Sequence, residues 1–149
     1  MDGTLIPVRD RKVGASARNY RFSANVQVIV GAETRLVVAA ARPVAGNTAD
    51  AKAWRGSGLA QHCESVTVLG DGACINTGLI VSHRKRPGRP LLKGEEEDNA
   101  QHRKVRARVE HPFSCMKNYK IFRDCRQRGD GLHHAVQAVA RMHNLALAA

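Results

Sequence analysis

The chain has 149 residues, of which 43% are hydrophobic and only 4% aromatic, and its formal net charge is +11. This length fits one domain with an aliphatic core, and the hydrophobic fraction excludes a wholly disordered chain. So large a positive charge favours a polyanionic partner, with nucleic acid ahead of an acidic membrane, although a soluble protein that is merely basic is the alternative.

The cysteines and the apolar runs exclude several further classes of protein. No C-x-x-C pair occurs, and no histidine pair follows at zinc-finger spacing, so a zinc site is not expected. The longest apolar run, near residues 36–41, is too short to span a bilayer. In the absence of a signal peptide, we expect the four thiols to be reduced in the cytosol.

Five strands are predicted from alternating or continuous apolar runs that are bounded by turn residues. They lie at residues 3–8, 25–30, 36–41, 65–69 and 78–81. The second and third of these runs flank a Gly-Ala-Glu turn, which predicts an antiparallel hairpin. The polar segments 9–23 and 83–94 predict loops, and the second of these loops is basic and interrupted by prolines.

Three helices complete the predicted elements. The first begins at Asn47-Thr48 and ends at Gly56, with a short helical piece continuing to His62. The second begins at Glu95, and the third is capped by Asp130. The order β-β-β-α-β-β-α-α is that of a ribonuclease-H-like α/β fold, in which helices flank a mixed sheet, and one such domain covers residues 1–149.

Two aspartates lie at the ends of predicted strands. Asp71 stands between Gly70 and Gly72 after the fourth strand, and Asp2 lies on the first. These strands are neighbours in the predicted order, so we expect the two carboxylates to meet. Carboxylate oxygens are ligands that hard divalent cations prefer. The simpler interpretation of Asp71 is a turn residue.

Glu110 is the third candidate carboxylate, on the second helix. Steps of three and four residues place three cations and one aromatic residue on the same helix face, namely Arg103, Arg106, Lys117 and Phe113. A carboxylate among such cations is typical of a metal ligand beside phosphate-binding groups. An ordinary Arg106–Glu110 helix pair is the alternative.

The basic residues are concentrated in one part of the chain. Fourteen of the 24 Lys and Arg residues lie between His83 and Arg128. The segment HRKRPGRP contains Arg84, Lys85 and Arg86, and it is either a flexible basic arm or a segment that recognises a DNA sequence. We expect it to contact the phosphate backbone.

Several motifs together resemble the DDE transposases of bacterial insertion sequences. They are DGT at residues 2–4, GDGA at 70–73 and R-x-R-V-E-H-x-F-x-x-M-K-x-Y-K-I at 106–121. The segments ARPVAGNTADAKAWRGSGL and DCRQRGDGLHHAVQAVARMHNLAL are similar to further parts of these enzymes, so the resemblance covers nearly the whole chain. The spacing R-x₃-E-x₆-K is its most specific part.

The resemblance implies that Asp2, Asp71 and Glu110 form a catalytic, metal-binding triad for two Mg²⁺ or Mn²⁺ ions. It implies DNA cleavage and strand transfer in transposition, with insertion-sequence ends and target DNA as the DNA partners. Self-association on DNA is possible in this interpretation. The expected location is the bacterial cytoplasm, in association with the nucleoid. Arg106 and Lys117 would handle DNA near the site, and the predicted DNA-binding set is Arg84, Lys85, Arg86, Arg103, Arg106 and Lys117.

The chain also departs from these relatives. It lacks their helical DNA-binding segment and the first half of the initial strand, so we expect an N-terminally truncated enzyme of weak activity or, as the alternative, an inactive remnant that only binds DNA. Arg103 replaces a common Tyr, Cys74 replaces a common aromatic residue, and Pro112 lies two residues after Glu110.

Three other features have plainer interpretations. Asp50 is expected to be a first-turn helix acid rather than a metal ligand, and the acids at 95–98 are expected to form the charged first turn of a helix. Trp54 either stacks on a base or anchors its helix in the core, and we favour the core.

Overall fold

The chain forms a mixed α/β structure in a computed structural model, which describes residues 1–16 and 22–149. The strands are β1 (Asp2–Pro7), β2 (Ala15–Ser16), β3 (Phe22–Val30), β4 (Val37–Ala40) and β5 (Val44–Ala45). The helices are α1 (Asp50–Gly56), a 3₁₀ helix (Leu59–Cys63), α2 (Lys93–Lys117), α3 (Lys120–Arg123) and α4 (Gly131–Ala148).

The nine-residue strand β3 organises the sheet, because β1, β2, β4 and β5 all pair with it and all of them are antiparallel to it. Asp2 at the start of β1 lies opposite Val28, and Ala40 of β4 is also paired with Val28. The predicted strands at 3–8, 25–30 and 36–41 and the predicted hairpin are therefore confirmed.

One face of β3 is apolar and forms the larger core. Alternate residues of a strand point to the same face, and on this face every second position from Ala24 to Val30 is alanine or valine. These side chains pack with Ile6 of β1 and with buried residues of α2 and α4 such as Phe113 and Val136. The register of β3 therefore determines which sides of α2 and α4 face inward.

The opposite face of β3 is polar in its first part. Ser23, Asn25 and Gln27 are buried there, and Asp50 at the start of α1 accepts hydrogen bonds from two of them. The Asp50 carboxylate accepts a hydrogen bond from the Asn25 amide at 2.6 Å, and its backbone carbonyl accepts one from the Gln27 amide at 2.9 Å. Asp50 thus joins α1 to the sheet, and the neighbouring Trp54 is a buried core anchor, as predicted.

The predicted fourth and fifth strands, at 65–69 and 78–81, are not strands in the structure. Leu69 and Ile80 form a single isolated parallel bridge, supported by hydrogen bonds from Gly70 N to Ile80 O (2.9 Å) and from Ile80 N to Val68 O (3.0 Å). Gly78 has a φ of 80°, so the second segment becomes extended only after this residue. The ladder is therefore too short to count as a pair of strands.

Other boundaries also differ from the predictions. In the predicted loop 9–23, Ala15–Ser16 forms β2 and Phe22 begins β3, while residues 17–21 lie outside the described part. The long helix begins at Lys93 rather than Glu95. Asp130 occupies the N-cap position of α4, as predicted, but its side chain makes no capping hydrogen bond.

The helix α2 continues through Pro112. Proline removes one helical N–H, but Val109, Phe113 and Met116 are buried in the core on either side of it, and their packing holds the helix together. Within residues 1–16 and 22–149, no helix combines the length and the apolar character that a membrane crossing requires. The ribonuclease-H-like assignment remains a prediction.

The contact between Gly46 and Ser23 gives a test of this packing. A Cβ at position 46 would lie 2.2 Å from Ser23 Oγ and 2.5 Å from Ser23 O, closer than unbonded atoms approach. We expect Gly46→Ala to lower the free energy of unfolding by about 1–3 kcal/mol, measured by urea denaturation.

Gly56→Ala is the matched control, because a Cβ at position 56 would meet no atom within 4 Å. This variant should stay within about 1 kcal/mol of the original protein. Equal losses in the two variants would contradict the described packing of the segment that leads into α1.

Candidate active site

A continuous polar stripe runs along α2 and forms one wall of an open cleft. Asn99, His102, Arg106 and Glu110 succeed one another at steps of three or four residues, so they share one side of the helix. The cleft has a volume of about 590 Å³ and is also lined by Asp71, which lies on the opposite wall. Two of the three predicted carboxylates, Asp71 and Glu110, therefore face the same space.

Asp71 is held by the tight turn that follows Leu69. One of its carboxylate oxygens accepts a hydrogen bond from the backbone N–H of Ala73 at 2.9 Å, and its carbonyl accepts one from Cys74 N at 3.0 Å. The side chain is only partly buried. The Gly-Asp-Gly sequence thus forms a turn, which was the simpler interpretation of Asp71. This turn places the Asp71 carboxylate in the cleft.

Cys74 lies at the end of this turn, and its side chain is buried in the core. Burial, and after it the neighbouring Asp71 carboxylate, raise the pKa of the Cys74 thiol to about 12. The thiol therefore stays protonated at neutral pH, and Cys74 acts as a small core residue rather than as a nucleophile.

Asp2 lies at the start of β1, and its side chain contacts α2. The Arg106 guanidinium is 3.5 Å from Asp2 Oδ1, and these two side chains are 22% and 18% exposed. Burial raises the pKa of the Asp2 carboxyl above its usual value, while the positive charges of Arg106 and Lys117 act in the opposite direction. The Asp2 side chain is therefore directed at α2, the helix that also carries Glu110.

The backbone brings Asp2 towards the Asp71 turn. The backbone nitrogen of Met1 donates a hydrogen bond to the carbonyl of Leu69 at 2.8 Å. The first predicted strand is therefore next to the segment that precedes Asp71, although that segment is not a strand.

The three acids do not form a compact ligand cluster. Within the part of the chain that the structure describes, no three His, Cys, Asp or Glu side chains are close enough to hold one metal ion. The chemistry of the donors nevertheless fits a hard divalent cation, because Asp71 and Glu110 supply carboxylate oxygens to one cleft. Asp2 faces Arg106 instead.

The predicted DNA-binding cations lie at the cleft, on the loop before α2 and further along α2. Arg103 lines the cleft itself, and Arg84 donates a hydrogen bond to the carbonyl of Gly72 in the Asp71 turn. Lys85 and Arg86 are exposed in the loop before α2, and Lys117 lies 4.7 Å above the ring of Phe113. The basic loop is thus attached to the turn that carries Asp71.

Sequence reasoning missed two buried residues of the cleft, Asn99 and His102. They are 7% and 8% exposed, and each makes two hydrogen bonds across the cleft floor. Their signal was present in the sequence, because they continue the helical stripe of Arg106 and Glu110 towards the N-terminus of α2.

Comparison with known proteins identifies the family of the chain. The family model described as "DDE superfamily endonuclease" matches residues 1–144. The chain is 50% identical over 148 residues to a protein of Streptomyces albus G named "Putative transposase for insertion sequence element IS112". The aligned region covers 99% of this chain and 58% of that relative.

The chain therefore spans little more than half the length of this relative. No solved structure matches the chain. The family match covers nearly all of the sequence and includes Asp2, Asp71 and Glu110, the three acids that the motifs singled out. The chain belongs to the DDE superfamily endonuclease family.

Proposed function

We propose that this chain is the catalytic domain of an insertion-sequence transposase that cuts DNA and joins DNA strands. The observation that carries the proposal is the shared cleft of Asp71 and Glu110, which Arg103 and Arg106 of α2 also line. A phosphodiester entering this cleft would meet carboxylates for metal binding and guanidinium groups for its own negative charge. The relative's name, which refers to transposition, supports the same function.

The proposed chemistry needs no protein nucleophile. Asp2, Asp71 and Glu110 would hold two Mg²⁺ or Mn²⁺ ions, which supply charge stabilisation for in-line attack on a phosphodiester by water and then by a 3′-hydroxyl. Arg106 and Lys117 would bind phosphate oxygens beside them. Pre-placed positive groups stabilise developing negative charge without having to reorganise during the reaction.

Arg106 has a second role in this proposal. Its guanidinium is the ion-pair partner of Asp2, whose carboxylate is partly buried and therefore needs compensating positive charge. A bound divalent cation would provide the same neutralisation and would leave Arg106 available to phosphate. Asp2 and Arg106 therefore form an ion pair that substrate and metal can replace.

The proposed substrates are the ends of the element and a target duplex, with self-association on DNA as an additional property. The fold proposed for this activity is ribonuclease-H-like, and the place of action is the bacterial nucleoid. The high positive charge of the chain supports the DNA substrate, because cations on a protein surface release counterions from the phosphate backbone.

One observation favours a second candidate function, a protein that binds DNA and does not cut it. Asp2 contacts Arg106, and the described acids do not assemble into a ligand cluster. A displacement of about 1 Å at a reacting centre can cost about a hundredfold in rate. In this candidate, the cations of the cleft would bind phosphate while the acids remain unused.

A nicking assay separates the two candidates. We expect Mn²⁺-dependent nicking of supercoiled plasmid by the 149-residue chain, and a loss of about a hundredfold or more in Asp71→Asn, because the amide is a poorer ligand for a hard cation. Glu97→Gln is the matched control, since it also removes one negative charge but lies exposed near the start of α2.

Glu97→Gln should nick at the rate of the original protein. Equal rates for Asp71→Asn and the original chain would contradict the proposed catalysis. Retention of DNA with no metal-dependent nicking in any protein would favour the binding-only candidate.

DNA affinity should fall steeply with salt. We expect Arg86→Ala to reduce the slope of log affinity against log salt concentration by about 0.9, because one phosphate contact is lost. Fluorescence anisotropy of labelled duplex measures this slope.

Arg55→Ala is the control for the salt experiment. Arg55 carries the same charge but lies in the last turn of α1, a helix that packs on the other face of the sheet from α2. Its slope should be unchanged, and equal changes in the two variants would remove the assignment of the basic loop to DNA.

A further inference from the structure

The cleft floor contains two buried polar side chains to which the proposed chemistry assigns no role. Asn99 and His102 lie three residues apart on the inner side of α2, and both are more than nine-tenths buried. Buried polar groups are costly unless they are hydrogen-bonded. Their partners therefore indicate what these two residues do.

Asn99 binds the backbone of His83 through both ends of its amide. Its Oδ1 accepts a hydrogen bond from His83 N at 2.7 Å, and its Nδ2 donates one to His83 O at 3.1 Å. A neighbouring strand would make the same pair of bonds to this residue. The Asn99 side chain thus substitutes for a sheet partner at the end of the 80–83 segment.

His102 joins two separate segments to α2. Its Nε2 lies 3.1 Å from the carbonyl oxygen of Gly70 and 3.3 Å from that of Ile80. Carbonyl oxygens only accept hydrogen bonds, so Nε2 carries a proton that both of them share. Gly70 N also donates to Ile80 O at 2.9 Å, so the three groups form one closed junction.

This junction lies directly beside the candidate metal ligand. Gly70 immediately precedes Asp71, and Glu110 follows His102 by eight residues on the same side of α2. The backbone itself provides little restraint here, because Leu69 and Ile80 share only a single bridge. Two helix side chains therefore provide the restraint that a longer strand ladder would have given.

We propose that His102 and Asn99 are positioning residues that hold the Asp71 turn and the 80–83 segment against α2. They thereby set the position of the Asp71 carboxylate relative to Glu110. The inference rests on the proposed function, since it assigns the two residues to the same metal-binding cleft. It adds to that function two residues, His102 and Asn99, that keep the two walls of the cleft at a constant separation.

Three variants test the proposal. His102→Leu keeps the size of the side chain and removes the donor, while His102→Gln keeps an N–H donor at a similar reach. Val109→Ala is the matched control, because Val109 is buried on α2 in the apolar core and its truncation destabilises the fold without touching the junction.

The first readout is hydrogen exchange at the Gly70 amide in the metal-free protein. We expect about tenfold faster exchange or more in His102→Leu than in Val109→Ala, because the junction opens locally. The second readout is the Mn²⁺ concentration that half-saturates the protein, measured from the spin-resonance signal of free Mn²⁺. It should rise about tenfold or more in His102→Leu, whereas His102→Gln should stay within about threefold of the original protein.

The proposal is overturned if His102→Leu matches Val109→Ala in both readouts. If the original chain binds no Mn²⁺ at all, the proposed function fails, and the exchange at Gly70 still decides whether His102 holds the turn. If His102→Leu does not fold, Asn99→Ala replaces it, with the exchange of the His83 amide as the readout and the same control.

Discussion

Every other strand of the sheet pairs with β3, so the arrangement of the whole structure depends on backbone hydrogen bonds to this one strand. Its alternation separates an apolar face, which receives α2 and α4, from a face whose polar residues bind the start of α1. A shift of one residue in this register would exchange the two faces. Burial of the valines and hydrogen bonding of the amides both oppose such a shift.

The site follows from the same register. Asp2 is paired with Val28, a residue of the apolar face, so its side chain extends towards α2 rather than towards α1. Helix α2 in turn buries its apolar side, with Phe113 and Met116, in the core. Its polar stripe is thereby left at the edge of the sheet, where it meets the Asp71 turn and forms the cleft.

Among the residues that the structure describes, the charges of Asp2 and Arg106 in the cleft compensate one another through a single contact, without a buried network of ion pairs. The contact between Asp2 and Arg106 is long and partly exposed, so its strength is modest and it is easily exchanged for another partner. The hydrogen bonds of Asn99 and His102 are buried and directed at backbone atoms. The cleft therefore combines buried hydrogen bonds at its floor with a weak, partly exposed ion pair.

The sequence alone determined the elements that depend on local pattern. Strands β1, β3 and β4, the hairpin, the long helix and the start of α4 after Asp130 were predictable, because alternation, helical spacing and turn residues act over a few residues. The motif around Glu110 identified the family, which the family match over residues 1–144 confirmed. The roles of Asp2, Asp71 and Glu110 as metal ligands stay predictions.

Only the tertiary structure decided the rest. The runs at 65–69 and 78–81 have strand composition, yet they form one bridge, because strand formation needs a partner of sufficient length and the turn at Gly78 shortens it. The contact of Asp2 with Arg106, and the burial of Asn99 and His102 beneath the Asp71 turn, join residues far apart in the chain. Local patterns carry no information about such distances, so packing on β3 had to establish them.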